Sequence, residues 1–204
     1  MLFNLSRIVL WIVVSLLIVF KIRSSKIVRK KGIAFLSVIL CFVLISISWM
    51  YPIENFFVRF QSAEDVFHYA YFGEIEDVLD GKASCIVIYS DHNQGNGHYI
   101  IPKTEEGYEI PNSFTAKKIS DEFDRNGSFE VYQVAGTQDY YVVGTVLSNA
   151  SSFNITDSRG QNVSAIVTDM GGTGTKTILL YAYVENFASD YVLYMNGIKT
   201  AITK

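Results

Sequence analysis

The run IAFLSVILCFVLISISWMY, from Ile33 to Tyr51, contains no charged residue and is bounded by Lys31 and Glu54. A membrane-spanning helix needs about twenty mostly apolar residues, at 1.5 Å rise across roughly 30 Å of hydrocarbon. A helix apolar on every face has no place on the surface of a small globular domain. The sequence therefore predicts a transmembrane helix over 33–51. A second candidate precedes it. Between Arg7 and Lys21 lies the shorter run IVLWIVVSLLIVF, which reaches spanning length only by extending back through Met1–Leu5 and taking Arg7 into the helix. An arginine near a helix end can snorkel to the headgroups. A signal peptide is the alternative for this short run. However, KIRSSK follows it with no small-x-small cleavage site, so an uncleaved helix over about 5–22 is expected.

The composition agrees with such a division. Of 204 residues, 50% are hydrophobic and 18% charged, the mean hydropathy is +0.23, and there are only two cysteines. That excludes disorder, a disulfide-dense mini-protein and a nucleic-acid binder driven by overall basicity. Residues 1–51 carry +7 and no acidic side chain, whereas residues 52–204 carry −10, together giving the net charge of −3. Six cations, Lys21, Arg23, Lys26, Arg29, Lys30 and Lys31, cluster in 21–32. The positive-inside rule makes 21–32 a cytoplasmic loop and places both termini outside a cell membrane crossed twice. The same cations attract acidic lipid headgroups, although topology alone accounts for them.

Residues 52–204 read as a mainly β extracytoplasmic region. A helix is expected over 61–73, capped by Ser62 with Asp65 three residues on, striped by Ala63, Val66, Phe67, Ala70 and Tyr71, and stopped at Gly73. His68, beside that stripe, reads as packing rather than a ligand. Strands follow at Ile75–Leu79 and Ala83–Tyr89 around the hairpin signal Asp80-Gly81. The second, ASCIVIY, is almost continuously apolar, which places it centrally in a sheet with Cys85 as a small core residue. Further strands are expected at 98–102, 108–110, 114–119 and 129–134, completing an α+β unit over 52–135. Ala135–Asp139 reads as a joint. Beyond it, strands at 140–147, 153–156, 164–168, 177–184, 191–195 and 198–203 suggest a small β-sandwich, an Ig-like all-β unit over 136–204. Asn196-Gly197 is the strongest hairpin marker among them.

Chemistry is sparse. Asp91-His92-Asn93-Gln94-Gly95-Asn96-Gly97-His98 offers Asp91, His92 and His98 as metal-ligand candidates, since imidazole and carboxylate suit zinc-like ions. No cysteine partner or H-E-x-x-H helix accompanies them. As a calcium loop the segment fails: Pro102 stands where the final glutamate belongs. The alternative is a flexible glycine-rich connection. GGTGTKT at 171–177 lacks the Gly-Lys step of a phosphate loop, and no nucleophile elbow occurs. No catalytic residue and no cofactor are expected.

The stretch YPIENFFVRFQSAEDVF (51–67), followed by a D-G hairpin ending in IVIYS, resembles uncharacterised small membrane-anchored surface proteins of low-GC Gram-positive bacteria. The resemblance covers about residues 50–90. It implies a cell-surface location and carries no activity and no site residue. The sequence thus points to a non-enzymatic, membrane-anchored protein presenting an acidic β-rich binding module outside the cell. Its expected partners are membrane lipids and a protein or envelope ligand, with no nucleic acid. An accessory or sensory subunit contacting another membrane protein is the alternative, and an envelope hydrolase the third reading.

Overall fold

The structure, a computed structural model, describes the chain except residues 1, 25–29, 92–94, 125–126, 151, 159, 171–174, 188–190, 197 and 202–204. Three α-helices, α1 (Leu2–Ser24), α2 (Lys30–Met50) and α3 (Ala63–Ala70), precede twelve strands. The first two pack as an antiparallel pair. Trp11 Nε1 donates to Ser48 Oγ at 3.1 Å, and Ser48 in turn donates to the Ile45 carbonyl. Arg7, 1% exposed, is paired at 3.1 Å with Glu54, just beyond the end of α2. The arginine expected to snorkel is instead neutralised by a carboxylate.

The expected double span is corrected here. Among the described residues, no helix is long and apolar enough to cross a membrane. In α1 the uncharged run between Arg7 and Lys21 is thirteen residues, roughly 20 Å of helix against roughly 30 Å of hydrocarbon. The membrane-anchored fold class, the transmembrane hairpin and the two-span cell-membrane placement fall with it, as does the extracytoplasmic assignment of 52–204. The basic cluster does not form the single loop expected. Lys21 and Arg23 continue α1, Lys30 and Lys31 begin α2, and Lys26 and Arg29 lie outside the described residues. What the structure supports is a mainly β fold.

That fold is a stack of layers. In the first sheet, β1 (Glu74–Asp80), β2 (Ser84–Asp91), β3 (Gly95–Thr104) and β4 (Gly107–Tyr108) run in sequential order. A second, five-stranded sheet contains β5 (Ala116–Asp124), β6 (Gly127–Val134), β7 (Asp139–Ser148), β10 (Lys176–Glu185) and β9 (Ala165–Asp169), in that spatial order. The third joins β12 (Ile198–Ala201), β11 (Val192–Met195) and β8 (Ile155–Asp157). Because side chains alternate across a strand, the apolar run of β2 serves two cores. Cys85 and Val87 pack against Val66, Phe67 and Ala70 of α3. Ile86 and Ile88 face the other way, onto Val134, Tyr141 and Tyr181 of the second sheet. The five-stranded sheet is covered on its far side too, where Tyr140, Val142, Leu180 and Val184 meet Ile155, Leu193 and Met195 of the third. The Ala135–Asp139 turn lies inside the second sheet, since β6 pairs with β7 across it. Strand pairing is therefore continuous through the expected joint.

Local chemistry sets the element ends. Ser62 Oγ accepts from the Asp65 amide at 3.1 Å, capping α3. Asn196, at φ 51, opens the β11–β12 hairpin, and its side chain accepts from the Asn154 amide at 2.7 Å. Lys176 opens a strand, not a helix, after the 171–174 glycines. Ahead of α3, a 3-10 turn at Ile53–Phe56 and the segment after it act as a clamp. Asn55 donates to the Ile110 carbonyl at 2.9 Å and accepts from the Ile110 amide at 3.0 Å, mimicking a strand partner. Phe60 exchanges two backbone hydrogen bonds with Tyr108. Close approach there depends on Gly107, whose φ is +138 and where a Cβ would press on the Phe60 carbonyl oxygen. Gly107→Ala is accordingly expected to destabilise by about 2–3 kcal/mol, through backbone strain and lost pairing. A urea midpoint within error of the parent would refute the clamp.

Candidate functional site

Two polar or aromatic assemblies stand out from the core. The first is a buried knot at the join between the first two sheets. Asp139, 1% exposed at the start of β7, accepts from the Ala83 amide (2.8 Å) and Ser84 Oγ (2.7 Å) through Oδ2. Its Oδ1 accepts from the Tyr183 hydroxyl at 2.9 Å. Ser84 Oγ lies 3.0 Å from Tyr141 Oη. With the Ser84 proton directed to Asp139, the Tyr141 hydroxyl is the donor to Ser84. The Lys82 amide completes the set by donating to Tyr183 Oη. Burial, with the Ser84 bond acting the other way, pushes the Tyr141 hydroxyl far above its ordinary range, and Tyr183 rises to about 12. A serine beside a carboxylate invites comparison with a hydrolase. Here no imidazole stands between them, and Ser84 is fully buried, so a substrate has no approach. The knot is an architectural joint.

The second assembly is an open cleft of about 370 Å³. Its walls come from distant parts of the chain: Pro52 before the 3-10 turn, Tyr71 at the end of α3, and His98, Tyr99 and Ile100 of β3. Ile110, Pro111, Asn112, Ser113 and Thr115 contribute from the segment between β4 and β5, together with Ala116 and Tyr132. Asn55 fixes the Ile110 wall through the paired bonds described above. The polar rim is self-ordered, since Asn112 Oδ1 accepts from the Phe114 amide (2.7 Å) and Thr115 Oγ1 from the Asn112 amide (2.8 Å). Tyr71 and Tyr99 are stacked at 3.5 Å between centroids, and Tyr89 continues the stack at 5.3 Å from Tyr99. Burial raises the Tyr71 hydroxyl well above its usual range and Tyr99 to about 12, so both are neutral phenols.

This chain matches no family model, no curated protein and no solved structure. The site must be read from its own groups.

None of the described lining residues carries a formal charge. His98, the one titratable base, is held below its ordinary value by burial, against a smaller opposing effect of Glu130. Its ring meets the edges of Tyr132 (5.4 Å) and Tyr181 (5.9 Å). Glu130 on the same strand as Tyr132 accepts that tyrosine's hydroxyl proton and pairs with Lys118 at 3.0 Å. A histidine titrates near 6.5 when unfolded, and burial lowers that in the folded chain. The unfolded state therefore takes up the proton first as pH falls. Stability is complete above about 6.5 and declines below it, with a limiting slope of about 1.4 kcal/mol per pH unit for one proton. Urea melts between pH 7.5 and 5 should show that decline, and His98→Gln should flatten it. An unchanged slope in the variant would assign the effect elsewhere.

The metal-ligand candidates separate. Asp91 ends β2 and pairs with Gly95, whereas His98 pairs with Ile88. The alternation of the hairpin thus sends Asp91 and His98 to opposite faces of the sheet. His92 lies outside the described residues, and among the described residues no three His, Cys, Asp or Glu gather to hold a metal. Of the expected connection, Asp91 belongs to β2 and Gly95–His98 to β3. Tyr89 covers Gly97, where a Cβ would meet its ring at 2.5 Å. His68 is exposed on α3 with its ring edge toward Phe67, at 5.9 Å between centroids. Cys85 is fully buried, and burial raises its thiol to about 12, leaving it protonated and inert.

Proposed function

We propose that the chain is a non-enzymatic binding module and that the cleft between α3, β3 and β6 receives an uncharged ligand. The supporting observation is the neutrality of its described lining within a region, residues 52–204, whose formal charge is −10. Aromatic walls with a few hydroxyl and amide groups are the usual make-up of a ligand pocket, and 370 Å³ lies toward its small end. An anion or cation entering would lose hydration without gaining a counter-charge. The test is ligand-observed NMR with neutral, cationic and anionic fragment sets, on the parent and on Ser113→Trp, which fills the mouth from an exposed position. Neutral fragments should bind the parent and not the variant. Preference for charged fragments, or indifference to the tryptophan, would refute the assignment.

A second reading, an accessory subunit, draws on the helix pair. Leu16, Leu17, Phe20, Phe35, Leu36 and Phe42 are each more than 60% exposed, a larger apolar surface than a solitary domain usually carries. Crosslinking through α2 should then recover one stoichiometric protein partner, and recovery of none would remove this reading.

A further inference from the structure

Resting on the cleft as the binding site, we propose that its ligand is an uncharged saccharide, of which the cleft seats one or two rings. The lining combines three properties that few ligand classes meet together. Neutrality excludes phosphates, carboxylates and ammonium groups, whose burial without a partner is strongly unfavourable. The rim excludes a purely hydrocarbon ligand. Asn112, Ser113 and Thr115 line the mouth, and beyond the bonds within the rim their spare donors and acceptors would be left unmade under a hydrocarbon, which is unfavourable. Hydroxyls both donate and accept, and amides carry donors and an acceptor together. A ligand rich in hydroxyls satisfies them whichever way they turn.

The aromatic walls supply the remaining requirement. Tyr99 is enclosed between Tyr71 and Tyr89, so the stack leaves a ligand the face of Tyr71 turned away from Tyr99. A tyrosine face carries the negative side of the ring quadrupole and attracts weakly polarised C–H groups. A pyranose presents such C–H groups on its faces and hydroxyls around its edge, matching rings within and polar groups at the rim. A proline-rich peptide also docks on aromatic grooves. It needs rings standing apart to admit a proline, whereas Tyr71 and Tyr99 are already in face contact at 3.5 Å. The stack closes that slot.

The test titrates the full chain with neutral trisaccharides, chitotriose and maltotriose. Glucosamine, glucuronate and decaproline serve as comparisons, with affinity read by calorimetry and saturation-transfer NMR. At least one neutral trisaccharide should bind and the three comparisons should not. Tyr71→Phe, which keeps the ring face, should bind within about threefold of the parent, and Tyr71→Ala should lose about tenfold or more. Ser113→Trp should abolish binding at an unchanged urea midpoint, separating occlusion from unfolding. Decaproline or a charged sugar binding in the cleft, with both trisaccharides inert, would overturn the saccharide and leave the binding module standing. Silence of every saccharide, peptide and fragment would overturn both. A trisaccharide that binds Ser113→Trp as well as the parent would place the saccharide site elsewhere and overturn this inference.

Discussion

Asp139→Ala is expected to lower the free energy of unfolding by about 3–5 kcal/mol, among the largest single-site losses in the molecule. The side chain is 1% exposed and accepts from the Ala83 amide, the Ser84 hydroxyl and the Tyr183 hydroxyl. Alanine strands those donors in a space water cannot readily fill, and each buried unsatisfied donor is unfavourable by about 1–3 kcal/mol. Ser84 has a fallback, since Tyr141 Oη lies 3.0 Å away, which keeps the total below a simple sum. Asn at the same position retains one carbonyl acceptor and should lose about half as much. The neighbouring pair Lys82–Glu185 joins the same two sheets, but its partners are 74% and 41% exposed. Lys82→Ala should change stability by no more than about 0.5 kcal/mol. Urea unfolding of the three variants measures the contrast. An Asp139→Ala loss below about 1 kcal/mol would show that the knot does not hold the sheets together.

Phe67→Ala is the second, also expected to destabilise by about 3–5 kcal/mol. Phe67 is fully buried at the centre of the α3 core, with ring centroids 5.1 Å from Tyr89, 5.8 Å from Tyr71 and 6.1 Å from Tyr99. Truncation leaves a cavity that these rings close only by abandoning their stack, so the loss combines transfer and void terms. Phe67→Leu should lose less, about 1–2 kcal/mol. Because Tyr71 and Tyr99 wall the cleft, the near-ultraviolet tyrosine circular dichroism of Phe67→Ala should weaken even where the variant remains folded. A parent-like spectrum together with a small shift in midpoint would mean that the aromatic cluster packs independently of this residue.

The strands were readable because their pattern is local. The ASCIVIY run announced a strand covered on both faces, and the structure buries Ser84 through Ile88 without exception. Ser62 announced a helix start three residues before Asp65, whose amide it caps. Other features depend on partners far along the chain. Asp139, at the end of an apparent linker, meets Ser84 across 55 residues. No periodicity encodes that meeting. The cleft draws on positions from Pro52 to Tyr132, and none of its segments has a motif. β5 runs on to Asp124 although Asp121 and Glu122 make its second half look like a loop, because β6 offers a complete hairpin partner. The apolar helices misled for a related reason. Hydropathy along a run counts side chains, but it cannot foresee that Arg7 will be retained within α1 by a carboxylate 47 residues away.

The layered arrangement has a consequence for how the molecule opens. β2 and β7 are interior strands of their sheets, and their side chains feed cores on both faces. Their amides can reach solvent only when two interfaces separate at once. Amide hydrogen exchange should therefore be slowest in Cys85–Ile88 and Tyr140–Val143, limited by global unfolding, whereas β8 and β12, the edge strands of the third sheet, exchange through local opening. Loosening one outer layer alone therefore does not open the middle of the molecule. Loss of the central pair and loss of the fold are one event.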